Sequence, residues 1–218
     1  MLKRTAGHRN SGTDLLTAED FLQRVGPGEF ADLIAGEIYH HTPSRLTHAR
    51  LVSFLDHLLA LYLARQKSGS EVYRGSFPVR LSLRDMFMPD LAYYTKRQTG
   101  MFVMTHAPAP TMVVEVLSDL SYYNDTSRKF VAYELHGVEE YWVLDPDQLK
   151  HRFYRRRGEE LVEFATGQAR IDAWSIPGFW VKRSWLNPDK LPSETSALEE
   201  ILSGRKTVRR KDRTLLSF

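Results

Sequence analysis

The sequence predicts a mixed α/β fold, a central mixed β-sheet flanked by helices, on three observations. From Thr47 to Gln66 the residues Leu51, Phe54, Leu55, Leu58, Leu59, Tyr62 and Leu63 recur three and four apart, the spacing of one long helix with a single apolar face. The run Thr111-Met-Val-Val-Glu-Val-Leu117 is apolar throughout its centre except for Glu115, as expected of a strand buried on both sides. Strand-like and helix-like segments are interleaved without an internal repeat, which fits one sheet of six to eight strands with its main helices on its faces.

Taken in order, Thr17-Ala-Glu-Asp20 ahead of Phe21 reads as a helix start, with Thr17 as the N-cap and acids in the first turn. Residues Phe30 to Tyr39 read as two short strands joined through Ala35-Gly36 in a hairpin. After the long helix, strand signals fall at Glu71–Tyr73, Phe77–Leu83, Leu91–Thr95 and Thr111–Leu117. A second helix is predicted from Asp125 to His136, stopped by Gly137, a residue suited to a left-handed cap. Val138–Leu144 is another buried strand, closed by Asp145-Pro-Asp147. Leu149–Arg156 and Leu161–Phe164 form a hairpin about Gly158, and Ile176–Val181 a last edge segment. Three regions follow: a polar lead over residues 1–13, a folded domain over 14–186, and a polar, basic tail over 187–218 with a short helix at Ser196–Leu202.

Composition narrows the class. The chain has 218 residues, 42% hydrophobic and 26% charged, enough apolar content to bury a sizeable core and too much for a disordered chain. No apolar run reaches the roughly 18 residues of a membrane span, and none near Met1 has signal-peptide length. Cysteine is absent, which removes disulfides, thiol nucleophiles and cysteine-held zinc from consideration, and the expected location is the cytoplasm. The net charge of +3 comes from the ends: residues 1–13 hold three basic and no acidic residues, and residues 187–218 seven basic against five acidic. Net charge therefore does not mark the middle of the chain as a polyanion binder.

Chemistry concentrates on a few charged residues in apolar surroundings. Asp90 follows Pro89 at the start of a strand, and Glu115 lies inside Val113-Val-Glu-Val-Leu117. A carboxylate in a buried strand is costly unless it is paired, hydrogen-bonded or bound to a metal. If their strands are neighbours, the two acids converge on one divalent cation, and magnesium is suited to one or two carboxylates with water and phosphate oxygens completing its shell. The other reading is that Glu115 points outward or pairs with an arginine. Asp125, Lys129 and Tyr133 share one helical face. That spacing is either an i,i+4 salt bridge or a means of bringing Lys129 to the two acids, where it positions or deprotonates a water and stabilises phosphate charge.

His40 and His41 are adjacent on a strand and face opposite ways, and His48 and His57 are poorly spaced for one helical face, so no histidine metal site is expected. No phosphate-cradling glycine loop, His-Glu-x-x-His or nucleophile elbow occurs. In Lys150-His-Arg-Phe-Tyr-Arg-Arg-Arg157, Lys150, Arg152, Tyr154 and Arg156 share a strand face, either a phosphate-contacting stripe or the solvated side of a hairpin.

The series Phe30-Ala-Asp-Leu-Ile-Ala-Gly-Glu-Ile-Tyr39, Met88-Pro-Asp-Leu91, Val113-Val-Glu-Val-Leu-Ser118, Asp125/Lys129/Tyr133, Gly137-Val-Glu-Glu-Tyr-Trp-Val-Leu-Asp-Pro146 and Ile176-Pro-Gly-Phe179 resembles the restriction-endonuclease-like family of bacterial proteins within the PD-(D/E)XK nuclease superfamily. It spans Thr17 to Trp185. The resemblance implies a restriction-endonuclease-like core and phosphodiester hydrolysis of DNA with Mg²⁺ or Mn²⁺. Asp90 and Glu115 would be the metal-binding acids and Lys129 the signature lysine. The superfamily lysine usually lies two residues after the acid, where this chain has Leu117, and the family resemblance implies that it has moved to the following helix. Glu37 resembles an additional upstream acid, and Asp125 a supporting residue or helix cap. A homodimer follows by analogy with nucleases that cut both strands. Two alternatives stay open: a weak or inactive nuclease fold that binds nucleic acid or protein, and a metal-free acid/base hydrolase using Asp90 and Glu115.

Overall fold

The first helix, α1 (Ala18–Arg24), begins where its sequence says it should. Thr17 Oγ1 accepts from Asp20 N at 3.1 Å and Asp20 Oδ2 accepts from Thr17 N at 2.9 Å, a reciprocal capping box. The computed structural model describes residues 15–214 apart from Pro27, Ser76, Asp119 and Leu120, with side chains described as far as Gly204. The expected lead over residues 1–13 lies outside the described residues. Thr17→Ala is expected to lower folding stability by about 1 kcal/mol, read as a shift of the urea midpoint at unchanged slope.

Strands β1 (Ala31–Ile34) and β2 (Glu37–His40) pair antiparallel with Ile34 opposite Glu37 and Asp32 opposite Tyr39. The two-residue turn holds Ala35 at φ 50° and Gly36 at φ 82°, the left-handed pair that matches strand twist in a tight hairpin. Gly36 is also pressed against the chain that leads into α1: a Cβ there would lie 2.8 Å from Leu15 Cβ. Strands β4 (Val79–Arg80) and β5 (Met86–Phe87) extend this hairpin into a four-stranded sheet, order β2-β1-β5-β4. The predicted strand Phe77–Leu83 is thus reduced to two residues. Leu81 N and Ser82 N both turn back to Asp85 O, which ends the pairing.

The central sheet has six strands in the order β10-β9-β8-β7-β6-β3. Its members are β3 (Glu71–Arg74), β6 (Leu91–Tyr94), β7 (Met112–Val116), β8 (Glu140–Leu144), β9 (Arg152–Arg157) and β10 (Glu160–Phe164). Only β7 and β8 run parallel; the other four pairings are antiparallel, so the sheet is mixed as predicted. One face carries α2 (Leu46–Gln66), whose stripe from Leu51 to Leu63 packs on Leu91, Val114, Trp142 and Phe153. The other face carries α4 (Lys129–Leu135), with Ala132 and Tyr133 against Val113, Tyr141 and Val143. A four-residue helix, α3 (Lys96–Thr99), follows β6 and was not predicted.

The chain after Trp185 is not a tail throughout. α5 (Glu194–Thr214) places Ala197, Leu198 and Ile201 in the same core as α2, alongside the small pair β11 (Arg170–Asp172) and β12 (Trp180–Lys182). Three well-spaced apolar residues suffice to dock this helix, although the segment is polar and basic elsewhere.

Candidate active site

Asp90 and Glu115 meet because their strands are neighbours. Antiparallel pairing of Leu91 with Val114 puts Asp90, one residue earlier, beside Glu115. Val116 N donates to Asp90 Oδ2 at 2.7 Å, and Asp90 N donates to Glu115 Oε2 at 3.2 Å. The outward-pointing alternative for Glu115 is therefore excluded: the residue is 2% exposed and its carboxylate faces Asp90, Lys129 and Tyr133.

Lys129 arrives from the opposite layer through a local distortion. Residues Asn124–Arg128 wind as a π-helical turn, with Lys129 N bonded to Asn124 O, before α4 resumes normal pitch. Such wide turns recur at functional sites. Here the turn sets Asp125 and Lys129 on one side, and the side chain is drawn inward. Lys129 Nζ lies 2.8 Å from Asp32 Oδ2, 3.1 Å from Glu115 Oε1 and 3.1 Å from Asp125 Oδ1. Tyr133, one helical turn on, donates to Glu115 Oε1 at 2.9 Å.

Two residues that the sequence reading did not select complete the group. Asp32 on β1 is buried, with Oδ1 accepting from Met88 N at 2.7 Å and Oδ2 reaching both Lys129 and, at 2.9 Å, His41 Nε2. His48 on α2 sets Nε2 3.2 Å from Asp90 Oδ1. Asp32 takes the place expected of Glu37. Both acids point to the same face of the hairpin, but Glu37 sits at its turn end, exposed, and accepts from Tyr39 Oη at 2.6 Å. The signal for Asp32 was the same as for Glu115, a lone acid in a buried strand. For His48 it was absent, since its value comes from Asp90 across the fold rather than from another histidine. His57 lies apart from this group, exposed and 3.8 Å from Glu194 Oε1.

The basic stripe on β9 is not an open phosphate face. Lys150 precedes the strand and is exposed, while Tyr154 stacks edge-on against Phe130 of α4 with centroids 4.9 Å apart. Arg156 is spent on backbone carbonyls, donating to Val138 O, Glu159 O and Glu134 O. Arg152 shares that strand face by alternation, half-buried. The helix that carries Lys129 covers the side on which solvent or phosphate was expected.

Burial and charge work against each other in the cluster. Burial alone would raise Asp32, but Lys129 and His41 overcome it and hold the carboxyl at about 2. Glu115 goes the other way: burial pushes it well above its usual value, Lys129 relieves only part of this, and Asp125, Asp90 and Asp32 add repulsion. Asp125 is likewise raised, first by burial. Burial would lower His48, but its contact with Asp90 keeps it above the ordinary histidine value. Burial disfavours the charge on Lys129 too, yet the carboxylates around it raise its pKa well above the usual value, so it is a fixed cation rather than a base.

Three carboxylates thus surround one permanent cation, with Asp90 beside Glu115 as a fourth, and Asp125 Oδ1 is at ion-pair distance from Nζ. A surplus of buried hard oxygen donors over buried cations is the chemistry of a cation site. No three His, Asp or Glu side chains among the described residues already form a metal-holding group. Asp90 and Glu115 are the pair that would hold a divalent ion, with water and substrate oxygens completing its shell. They open on a cleft of about 1000 Å³, walled by the β1–β2 hairpin, the start of α2 and the π-helical turn.

Comparison with solved structures gives a nuclease fold. A crystal structure of a "putative nuclease belonging to DUF820" from Anabaena variabilis matches with a TM-score of 0.62 at 15% identity, covering 85% of this chain and 99% of that one. Among curated proteins no significant match is found. Among the described residues, no helix is long and apolar enough to cross a membrane. A family model described as "Putative restriction endonuclease" matches residues 18–187, from the first residue of α1 to the turn after β12, and so contains every acid of the cluster together with Lys129. By that match the chain belongs to the Uma2 family, whose restriction-endonuclease-like character the motif series implied.

Proposed function

We propose that this protein is a metal-dependent nuclease that hydrolyses phosphodiester bonds of DNA at the cluster of Asp90, Glu115 and Lys129. The observation that carries the reading is the convergence of these three side chains, from the residue before β6, from β7 and from α4, on one cleft. Mg²⁺ or Mn²⁺ bound by Asp90 and Glu115 supplies Lewis-acid neutralisation at the phosphate and acidification of water. The chain's own groups do the rest. Val116 N and His48 hold both oxygens of Asp90, and Tyr133 fixes the Glu115 carboxylate. Lys129 keeps its proton and presents a fixed positive charge to the nucleophile and to the phosphate, a preorganised electrostatic role.

The test is nicking of supercoiled plasmid in Mg²⁺ or Mn²⁺, comparing wild type with Asp90→Ala purified identically. Cleavage is expected to fall on the order of 10²–10³-fold in the variant and to vanish in both proteins with EDTA. Equal cleavage by the two proteins, or cleavage that survives chelation, would place the activity elsewhere. By analogy with nucleases that cut both strands of a duplex, we propose a homodimer for that substrate, with sedimentation of the complex as its measurement.

A further inference from the structure

At the edge of the cleft stands an aromatic and cationic cluster that the hydrolytic chemistry leaves unused. Tyr39, cross-strand from Asp32, lines the cleft. Arg128, the residue before Lys129, donates to Tyr39 Oη and sets its guanidinium carbon 5.3 Å from the Tyr39 ring centroid and 5.8 Å from that of Tyr123. Tyr123 adjoins Asn124 of the cleft and is 64% exposed; its neighbour Tyr122 is 50% exposed. Two open tyrosines and a stacked guanidinium therefore stand beside the turn that delivers Lys129.

From this juxtaposition we propose that the Tyr39–Arg128–Tyr123 cluster is a stacking subsite for an unpaired nucleobase, so that the preferred substrate is single-stranded or frayed nucleic acid. The inference rests on the nuclease reading above. A base within a duplex has both ring faces covered by its neighbours and shows only its edges in the grooves. Ring faces at the edge of a cleft find partners only in a base that has left the stack, the usual device of single-strand binders. Tyrosine and arginine planes both serve, and neither reads sequence.

The charge of the cleft points the same way. Its lining holds five carboxylates, Glu29, Asp32, Asp90, Glu115 and Asp125, against two permanent cations, Arg74 and Lys129. Duplex binders neutralise many phosphates with rows of lysine and arginine. A cleft of this sign favours entry of one strand, held by stacking, over the doubled charge density of a duplex. A strand that enters unpaired also needs no second copy of the chain to be cut.

The experiment uses the full chain in Ca²⁺, so that binding is read without turnover, with one oligonucleotide containing 2-aminopurine presented unpaired and as a blunt duplex. Wild type is expected to bind the unpaired form roughly tenfold more tightly and to quench its fluorescence by stacking. Tyr39→Ala/Tyr123→Ala should lose that advantage and the quench while binding duplex as before, whereas Tyr39→Phe/Tyr123→Phe should retain both; matching circular dichroism melts establish that the variants fold. Duplex binding equal to or tighter than unpaired binding by wild type overturns the proposal, as does unchanged unpaired binding in the alanine variant. If duplex plasmid is nevertheless cleaved at the acidic cluster, only the stacking subsite fails. If no nucleic acid is bound or cut, the nuclease reading fails with it.

Discussion

Lys129→Met is expected to cost about 3–5 kcal/mol of folding stability near pH 8 and to reduce cleavage on the order of 10²–10³-fold. The ammonium is 4% exposed and lies within 3.1 Å of three carboxylates, those of Asp32, Glu115 and Asp125. Removing it strands buried charge that His41, on Asp32, and Tyr133, on Glu115, offset only in part. In wild type, Asp32 contributes stability above its ordinary value of 3.8, lost as pH falls through about 2. The raised pKa of Lys129 contributes stability that persists through neutrality and fades only above 10.5. Neither group titrates between pH 5 and 8.

In Lys129→Met the three acids are expected to hold protons in the folded state that the unfolded chain has already released. More protons bound by the folded state means stability that falls as pH rises. The deficit relative to wild type should therefore be larger at pH 8 than at pH 5, measured by urea unfolding at both. A variant as stable as wild type at pH 8 would mean that water reaches the cluster and the acids are not confined as described.

Why Asp90, Glu115 and Lys129 were legible while Asp32 and His48 were not is a matter of where their meaning lies. Glu115 announces itself locally, since no other charge interrupts Met112–Val116 and burial of a lone carboxylate demands a partner. Lys129 is visible from its spacing to Asp125 and Tyr133 on one helix. Asp32 sits in a four-residue strand, Ala31–Ile34, buried along its whole length, so its local signal equals that of Glu115. The family resemblance points to Glu37 instead; the register puts both acids on one face, and the exposed position of Glu37 at the turn end leaves Asp32 as the acid that reaches inward. His48 has no local signal, because α2 and β6 are separated by three strands, β3, β4 and β5, before they meet at Asp90.

The same distinction holds for the fold. The central sheet, α2 and the β1–β2 turn follow from periodicities that a short window contains. The short helix at Ser196–Leu202 is legible as well and lies within α5, but its docking is not, because its few buried residues acquire an apolar partner only once α2 is in place. Arg156 in β9 likewise looked like a surface charge until α4 and the loop before β8 supplied the carbonyls it binds.

Glu115→Gln is expected to combine two opposite effects: cleavage falls on the order of 10²–10³-fold, while the metal-free protein becomes more stable at pH 8. Burial first, then repulsion from Asp125, Asp90 and Asp32, raises the Glu115 carboxyl well above 4.5. An acid whose folded pKa exceeds its unfolded one favours folding less as pH climbs past the unfolded value, because the charge that forms is penalised only in the folded state. Glutamine is nearly the same shape and never takes that charge. The advantage of the variant should shrink toward zero as pH falls to 4.5, where wild type is itself protonated.

A divalent cation should reverse the ranking. At a hundred times its dissociation constant, Mn²⁺ would add about 2.7 kcal/mol to wild type, and little to a variant that has lost one of the two carboxylates. Thermal melts with and without Mn²⁺, at pH 5 and pH 8, separate this from a structural role. A variant that melts earlier than wild type in every condition, with no Mn²⁺ effect on either, would make Glu115 the acceptor that anchors Lys129 and Tyr133 and no more. The expected crossing would mean instead that the four carboxylates of the cluster are gathered at a cost to folding, and that the charge which relieves them arrives with the cation.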